Sequence, residues 1–119
     1  MSERDIVYKI TPRMDWEAAV AAGEYSGAPI DLADGFIHFS TATQADETAK
    51  KHFHGQHDLL LVAVSTSGYG DAMRWEVSRG GALFPHLYGA FDMGSVVWTL
   101  PIVTDAAGVP HLTFAEADT

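Results

Sequence analysis

The sequence predicts an α+β fold, a strongly bent and mostly antiparallel sheet with two helices placed early. Helix signals are confined to the chain before Gly55. Strand-like runs rich in β-branched and aromatic residues crowd the remainder. The resulting order, β-α-β-α-β-β-β-β, segregates helices from strands, whereas a doubly wound sheet alternates them.

Ile6 to Ile10 reads as the first strand, with Ile6, Tyr8 and Ile10 on one face. Thr11-Pro12 then reads as an N-cap followed by proline at the first helical position. That helix runs through Trp16 and an alanine-rich stretch to Ala22, and Gly23 stops it. Glu24 to Asp34 carries Gly27 and Pro29 without a hydrophobic period and is expected to be a loop. Gly35 to Ser40 follows as a strand. Period two sets Phe36, His38 and Ser40 on one face and Ile37 and Phe39 on the other.

Thr41 and Gln44 have capping-box spacing, which starts a second helix reaching about His54 and ending at Gly55. Leu59 to Ser65 is a continuous apolar run, expected as a central strand covered on both faces. After a turn over Thr66 to Asp71, Met73 to Val77 alternates, with Met73, Trp75 and Val77 opposite Arg74 and Glu76. Gly80-Gly81 breaks the chain. Leu83 to Gly89 is expected to be irregular, because Pro85 cannot donate within a central ladder. Ser95 to Ile102 is a further strand, and His111 to Phe114 closes a terminal hairpin after a turn at Asp105 to Gly108.

The chain has 119 residues, which fits one domain over residues 1–119, and no repeat or linker interrupts it. Folding such a length buries roughly two-thirds of the unfolded surface, enough for a core without staples. There is no cysteine, so disulfides and thiolate metal sites are excluded, and a cytoplasmic location fits best. The charged start Met1-Ser2-Glu3-Arg4-Asp5 is unlike a secretory signal, and the longest apolar run, Leu59 to Val64, is far short of a membrane span. With a net charge of −9 and seven scattered basic residues, a nucleic-acid-coating role is disfavoured. One small anionic ligand held locally is still compatible with that balance.

Four segments carry candidate chemistry. His38 is the one ionisable side chain of an otherwise apolar strand and shares its face with Ser40, so an imidazole and a hydroxyl can grip one ligand. The helix start at Thr41 offers free amides to an anion. A plain structural role, a buried histidine bonded to a carbonyl, weighs about equally. Their spacing of about 7 Å along the strand is too long for a direct nucleophile–base contact. Glu76 is a lone strand carboxylate, for which solvation or pairing with Arg74 is the simpler reading. Phe84-Pro85-His86-Leu87-Tyr88-Gly89 sets a histidine and a tyrosine two apart in a loop-like segment suited to a pocket wall. His52, His54 and His57 cluster at a helix end, but His52 and His54 point to different sides, and the macrodipole accounts for cations there. No metal site is therefore expected, and no phosphate-binding loop or nucleophile elbow occurs.

Taken together, Tyr8-Lys9-Ile10, Trp16, Asp34-Gly35-Phe36-Ile37-His38, Ser40-Thr41, Gln44, Trp75-Glu76 and Phe84-Pro85-His86-Leu87-Tyr88-Gly89 resemble the bacterial family called domain of unknown function 952. The resemblance spans about Ile6 to Leu100. It departs at Lys9, where the family often has histidine, and at Phe39, where it often has a small residue.

The resemblance implies the split, bent sheet of ADP-ribosyltransferases, with NAD held in a central cleft. It further implies that His38 grips the dinucleotide, that Ser40 supports the site, and that Glu76 stabilises an oxocarbenium-like centre as nicotinamide leaves. Positive charge building on the ribose gives that carboxylate its purpose. Phe36 and Tyr88 are suited to stacking on a planar ring, with Thr41 and His86 completing the ligand-binding set.

NAD is then a substrate, and no separate cofactor is required. The expected partner is a small nucleotide-like molecule, with neither nucleic acid nor membrane. A noncatalytic metabolite-binding module is the alternative. A protein-interaction domain presenting Trp16, Tyr25 or Tyr69 ranks last.

Overall fold

The computed structural model describes residues 4–112. Its strands are β1 (Ile6–Pro12), β2 (Ile37–His38), β3 (Leu59–Ser65), β4 (Met73–Val77), β5 (Leu83–Leu87), β6 (Val96–Thr104) and β7 (Pro110–His111). Its helices are α1 (Arg13–Ala22), α2 (Pro29–Asp34) and α3 (Ala42–His52). The α+β class holds, with a mostly antiparallel, curled sheet and few helices.

The strands divide into a four-stranded sheet, β1-β3-β6-β7, and a three-stranded sheet, β2-β5-β4. All pairings are antiparallel. β3 lies between β1 and β6 and is buried along nearly its whole length, as its unbroken apolar run requires. Period two splits its side chains. Leu60, Val62 and Val64 join Val7, Trp16, Ile37, Phe39, Met73, Leu87 and Phe91 in one core. Leu59, Leu61 and Ala63 join Tyr8, Ile10, Ala45, Ala49 and Ile102 in a second core, beneath α3.

The two sheets are stitched at one point. Past β2 the chain reaches Ser40, which exchanges both backbone hydrogen bonds with Tyr8 on the otherwise open edge of β1, at 2.8 and 2.9 Å. A ladder six residues long was expected over Gly35 to Ser40. Only Ile37 and His38 pair with β5, because the chain then crosses from one sheet to the other.

Four further expectations are corrected. Thr11 does not cap α1. It stays in β1 opposite Leu60, Pro12 is the extended residue ahead of the helix, and the Arg13 amide is satisfied by the Asp58 carbonyl at 2.8 Å. A residue before proline is disfavoured in helical conformation, which keeps Thr11 in the strand.

The supposed loop 24–34 contains α2. It begins with Pro29 at the first position, bonds the Ala28 amide to Asp31 Oδ2 at 2.7 Å, and ends on left-handed Gly35. Its apolar residues Ile30 and Leu32 face outward, 59% and 67% exposed, while Asp31 is buried.

Leu83–Leu87 is a regular strand in the middle of its sheet, not an irregular loop. Hydrogen-bonded pairs with β4 alternate through Ala82–Ser78 and Tyr88–Ala72, so Pro85 falls at a position needing no donor on that side. On the other side it faces Phe39, just beyond the β2 ladder, and there it only accepts, at 2.9 Å. The Phe84–Pro85 bond is trans.

The proposed aromatic interface is also overturned for two of its three residues. Trp16 and Tyr25 are buried with Phe91 in a cluster of tilted and edge-on rings.

Other expectations stand. α1 stops at left-handed Gly23, and α3 opens with the Thr41–Gln44 capping box. β7 pairs with the end of β6, while residues 113 and 114 of the expected hairpin lie outside the described residues. Among the described residues no helix is long and apolar enough to cross a membrane.

Candidate functional site

The site grows from the edge of β1, where Lys9 is buried yet charged by nature. Its Nζ lies 2.8 and 3.1 Å from the two oxygens of Asp31 and donates to the His38 carbonyl at 2.9 Å. Asp31 is 1% exposed at its side chain. Besides Lys9 it accepts the Ala28 amide, the His38 amide at 3.0 Å and His38 Nδ1 at 2.7 Å.

Burial raises the Asp31 carboxyl, but the His38 hydrogen bond and the charge and hydrogen bond of Lys9 outweigh it and hold it well below the usual carboxylate range. Burial lowers the Lys9 ammonium, and Asp31 offsets this only in part. Gly27 permits the close approach, since a Cβ there would stand 2.8 Å from that of Asp31.

This arrangement fixes the His38 ring. Nδ1 is committed to Asp31, and Nε2 meets Asp34 Oδ2 at 3.0 Å, where α2 ends. A ring protonated on both nitrogens donates to both carboxylates. The ring is 28% exposed, so it is not sealed in the core, and its two nitrogens face carboxylates, not main-chain oxygens.

One strand over, His86 sits directly opposite His38, ring centroids 5.2 Å apart, and opposite Arg74 on its other side. Its Nδ1 lies 2.9 Å from Glu76 Oε1, the oxygen to which the Tyr88 hydroxyl also donates at 2.7 Å. The Tyr88 bond, then the His86 bond, pull the Glu76 carboxyl below its ordinary value, and the same contact with Glu76 pushes the Tyr88 hydroxyl up. Phe36 stacks on His86 at 4.3 Å and also touches the His38 and Tyr88 rings. The Arg74 guanidinium covers the Tyr88 ring at 4.3 Å.

Beside these groups opens a cleft of about 670 Å³ along the β1 edge, bounded by α2, α3 and the three-stranded sheet. Tyr8, Ile10, Phe39, Phe53 and Phe84 give it an apolar lining, and Asp34, His38, Ser40, Thr48 and His86 its polar one. The volume is that of a small-molecule site.

The residues expected from sequence divide accordingly. His38, Ser40 and His86 line the cleft together. Glu76 and Tyr88 are not among the described residues lining it, although Glu76 reaches His38 through the His86 ring. Phe36 lines a separate hollow of about 330 Å³ with Tyr25, Leu87 and Phe91.

Ser40 is hydrogen-bonded to Thr48 of α3 at 3.1 Å. Thr41 is occupied as the α3 cap, with Gln44 closing the box, so its amide is already spoken for. Among the described residues no three His, Asp or Glu side chains gather as a metal site needs.

The sequence reading missed Asp31 and gave no site role to Lys9 or Asp34, although both stand in the motifs it quotes. The run Pro29-x-Asp31-x-x-Asp34-Gly35, proline at a helix start and glycine past its end, carried the signal for α2 and hence for both carboxylates.

The chain belongs to the family described as "Protein of unknown function (DUF952)", whose model matches residues 10–99. It is similar to the crystal structure of protein CC0527 from Caulobacter crescentus, at 47% identity and a TM-score of 0.87, over 94% of this chain and 98% of that one. The solution NMR structure of the same Caulobacter crescentus protein matches at 48% identity and a TM-score of 0.81, over 91% and 93% of the two chains. No curated protein matches the chain.

Proposed function

Starting from membership of a family without a defined function, we propose that this protein binds a nucleotide-like metabolite in the cleft beside β1, with NAD as the first candidate. The observation that carries the proposal is His38. Its imidazole is oriented by a buried carboxylate and held, partly exposed, at the wall of a cleft of about 670 Å³. A pocket with an apolar lining and a few fixed polar groups is the general form of a small-molecule site.

The split sheet, bridged at Tyr8–Ser40 with the cleft beside the bridge, supports reading the fold as ADP-ribosyltransferase-like. On that reading the N-glycosidic bond of NAD is cleaved: nicotinamide leaves with the bonding electrons, and water or another nucleophile bonds to the anomeric carbon of the ribose. His38 holds a ribose hydroxyl, Ser40 supports the wall, and the Glu76 carboxylate must be brought to the reacting centre.

A noncatalytic binding role is favoured by one observation. The Glu76 carboxylate is taken up by His86 and Tyr88 and lies outside the cleft lining. In either case the work is assigned to the cytoplasm, in keeping with a chain that has no cysteine.

Titration calorimetry with NAD up to millimolar concentration, alongside an assay of nicotinamide release, tests both readings. Heat of binding with release supports the enzyme, and binding without release supports the binding module. His38→Ala is expected to abolish binding while thermal unfolding stays cooperative. Absence of both heat and release removes the proposal.

A further inference from the structure

Of the two carboxylates on the His38 ring, Asp34 is the exposed one. Its carboxylate is 45% exposed, whereas Asp31 on the opposite ring nitrogen is 1% exposed. Asp34 and His38 both line the cleft and present an acceptor-only oxygen and a ring nitrogen 3.0 Å apart.

Two adjacent hydroxyls match that pair of groups. One hydroxyl donates a hydrogen bond to the carboxylate, and the neighbouring hydroxyl oxygen accepts one from Nε2–H. Ribose carries such a vicinal diol, and a carboxylate accepting from ribose hydroxyls is a recurrent way of holding it.

The charges in the cleft point the same way. Among the described residues lining it there is no arginine, the Lys9 charge is met by Asp31, and Asp15 and Asp34 add negative charge. A phosphate finds little there, since phosphates are held by cationic side chains or free backbone amides, and the His38 and His86 rings in the lining are each already faced by a carboxylate.

We infer that Asp34 and His38 together grip the vicinal diol of a ribose, so that the cleft selects the nucleoside part of its ligand while phosphates stay outside and add little affinity. This rests on the cleft being a nucleotide-like site. Asp34 is a binding residue on this view, and its contact with Nε2 is what the diol inserts into.

Calorimetric titration with adenosine, 2′-deoxyadenosine, ADP-ribose and NAD, into the native chain and Asp34→Ala, tests the inference. Adenosine is expected to bind the native chain at least tenfold more tightly than 2′-deoxyadenosine, because a site built around a hydroxyl rejects the analogue lacking it. ADP-ribose and NAD are expected within tenfold of adenosine. In Asp34→Ala the preference for ribose over deoxyribose collapses.

Asp34 is half exposed at the end of α2, so the variant keeps its fold, which a melting curve verifies. Equal binding of adenosine and its 2′-deoxy form overturns the diol grip but leaves a nucleotide site. Tighter binding to Asp34→Ala overturns it too, making Asp34 a plug that ligands displace. ADP-ribose and NAD both binding far more tightly than adenosine would place the grip on phosphate and overturn the selection of the nucleoside part. No binding of any of the four removes the cleft proposal along with this one.

Discussion

Two histidine–carboxylate pairs stand side by side on neighbouring strands, and they are built in opposite ways. His38 is partly exposed and leans on Asp31, a buried carboxylate whose charge is answered by a buried lysine. His86 is buried and leans on Glu76, a half-exposed carboxylate answered only by a tyrosine hydroxyl and the nearby Arg74. In the first pair the carboxylate is the fixed part and the ring is presented. In the second the ring is fixed at the cleft wall, and the carboxylate faces solvent outside the cleft lining. The lesson is that position in the solvent gradient, more than residue type, decides which half of such a pair is held and which is open to solvent.

The largest expected effect comes from breaking the first pair. Asp31→Asn keeps the shape but leaves the Lys9 ammonium buried without its counter-charge. Removing one partner of a buried pair costs about 3–5 kcal/mol, although the intact pair contributes little net stability. Urea unfolding of Asp31→Asn should show that loss, and adding Lys9→Met should recover a large part of it. A cost below about 1 kcal/mol, or no recovery in the double variant, would mean that the knot is not what orders this region.

The same pair sets an acid limit. The folded-state pKa of Asp31 is depressed, so its contribution to stability is fully present above the unfolded value, about 3.9, and is lost as pH falls through the folded value. The stability gap between the native chain and Asp31→Asn should therefore be flat from neutral pH to about pH 5 and shrink below about pH 4. A gap that closes near neutral pH would locate the titrating group elsewhere and break the contrast between the two pairs.

What was legible in the sequence tracks how local the physics is. The α3 start is written within four residues, because Thr41 and Gln44 satisfy one another's backbone amides. His38 is legible as the one ionisable side chain among apolar strand neighbours, and β3 as an apolar run. α2 is legible only at its ends, in Pro29 and Gly35, since a six-residue helix that buries Asp31 and exposes Ile30 and Leu32 inverts the hydrophobic pattern by which helices are recognised. β5 is hidden by Pro85, whose missing donor matters only if the register makes its place opposite Trp75 a hydrogen-bonded one, which it does not. The contact of Lys9 with Asp31 joins residues 22 apart on different elements, so neither one's neighbours in sequence announce it.

The smallest expected effect lies in the second pair and involves no loss of fold. The Tyr88 hydroxyl donates to Glu76, and ionising it would set two negative oxygens 2.7 Å apart, which is why its pKa is pushed up. Glu76→Gln removes the charge and keeps an acceptor oxygen. The tyrosine should then ionise at lower pH, by up to the shift that the carboxylate alone imposes, because the raising contact becomes a neutral hydrogen bond while Arg74 still covers the ring and favours the phenolate. Carbon NMR titration of the labelled tyrosine side chains resolves Tyr88 from Tyr25, whose hydroxyl is raised chiefly by burial and should not move with this substitution. If Tyr88 keeps its native titration in Glu76→Gln, the carboxylate is not what holds it. Glu76 would then be freer to turn toward the cleft than its contacts imply, and the contrast between the two pairs would have to be drawn elsewhere.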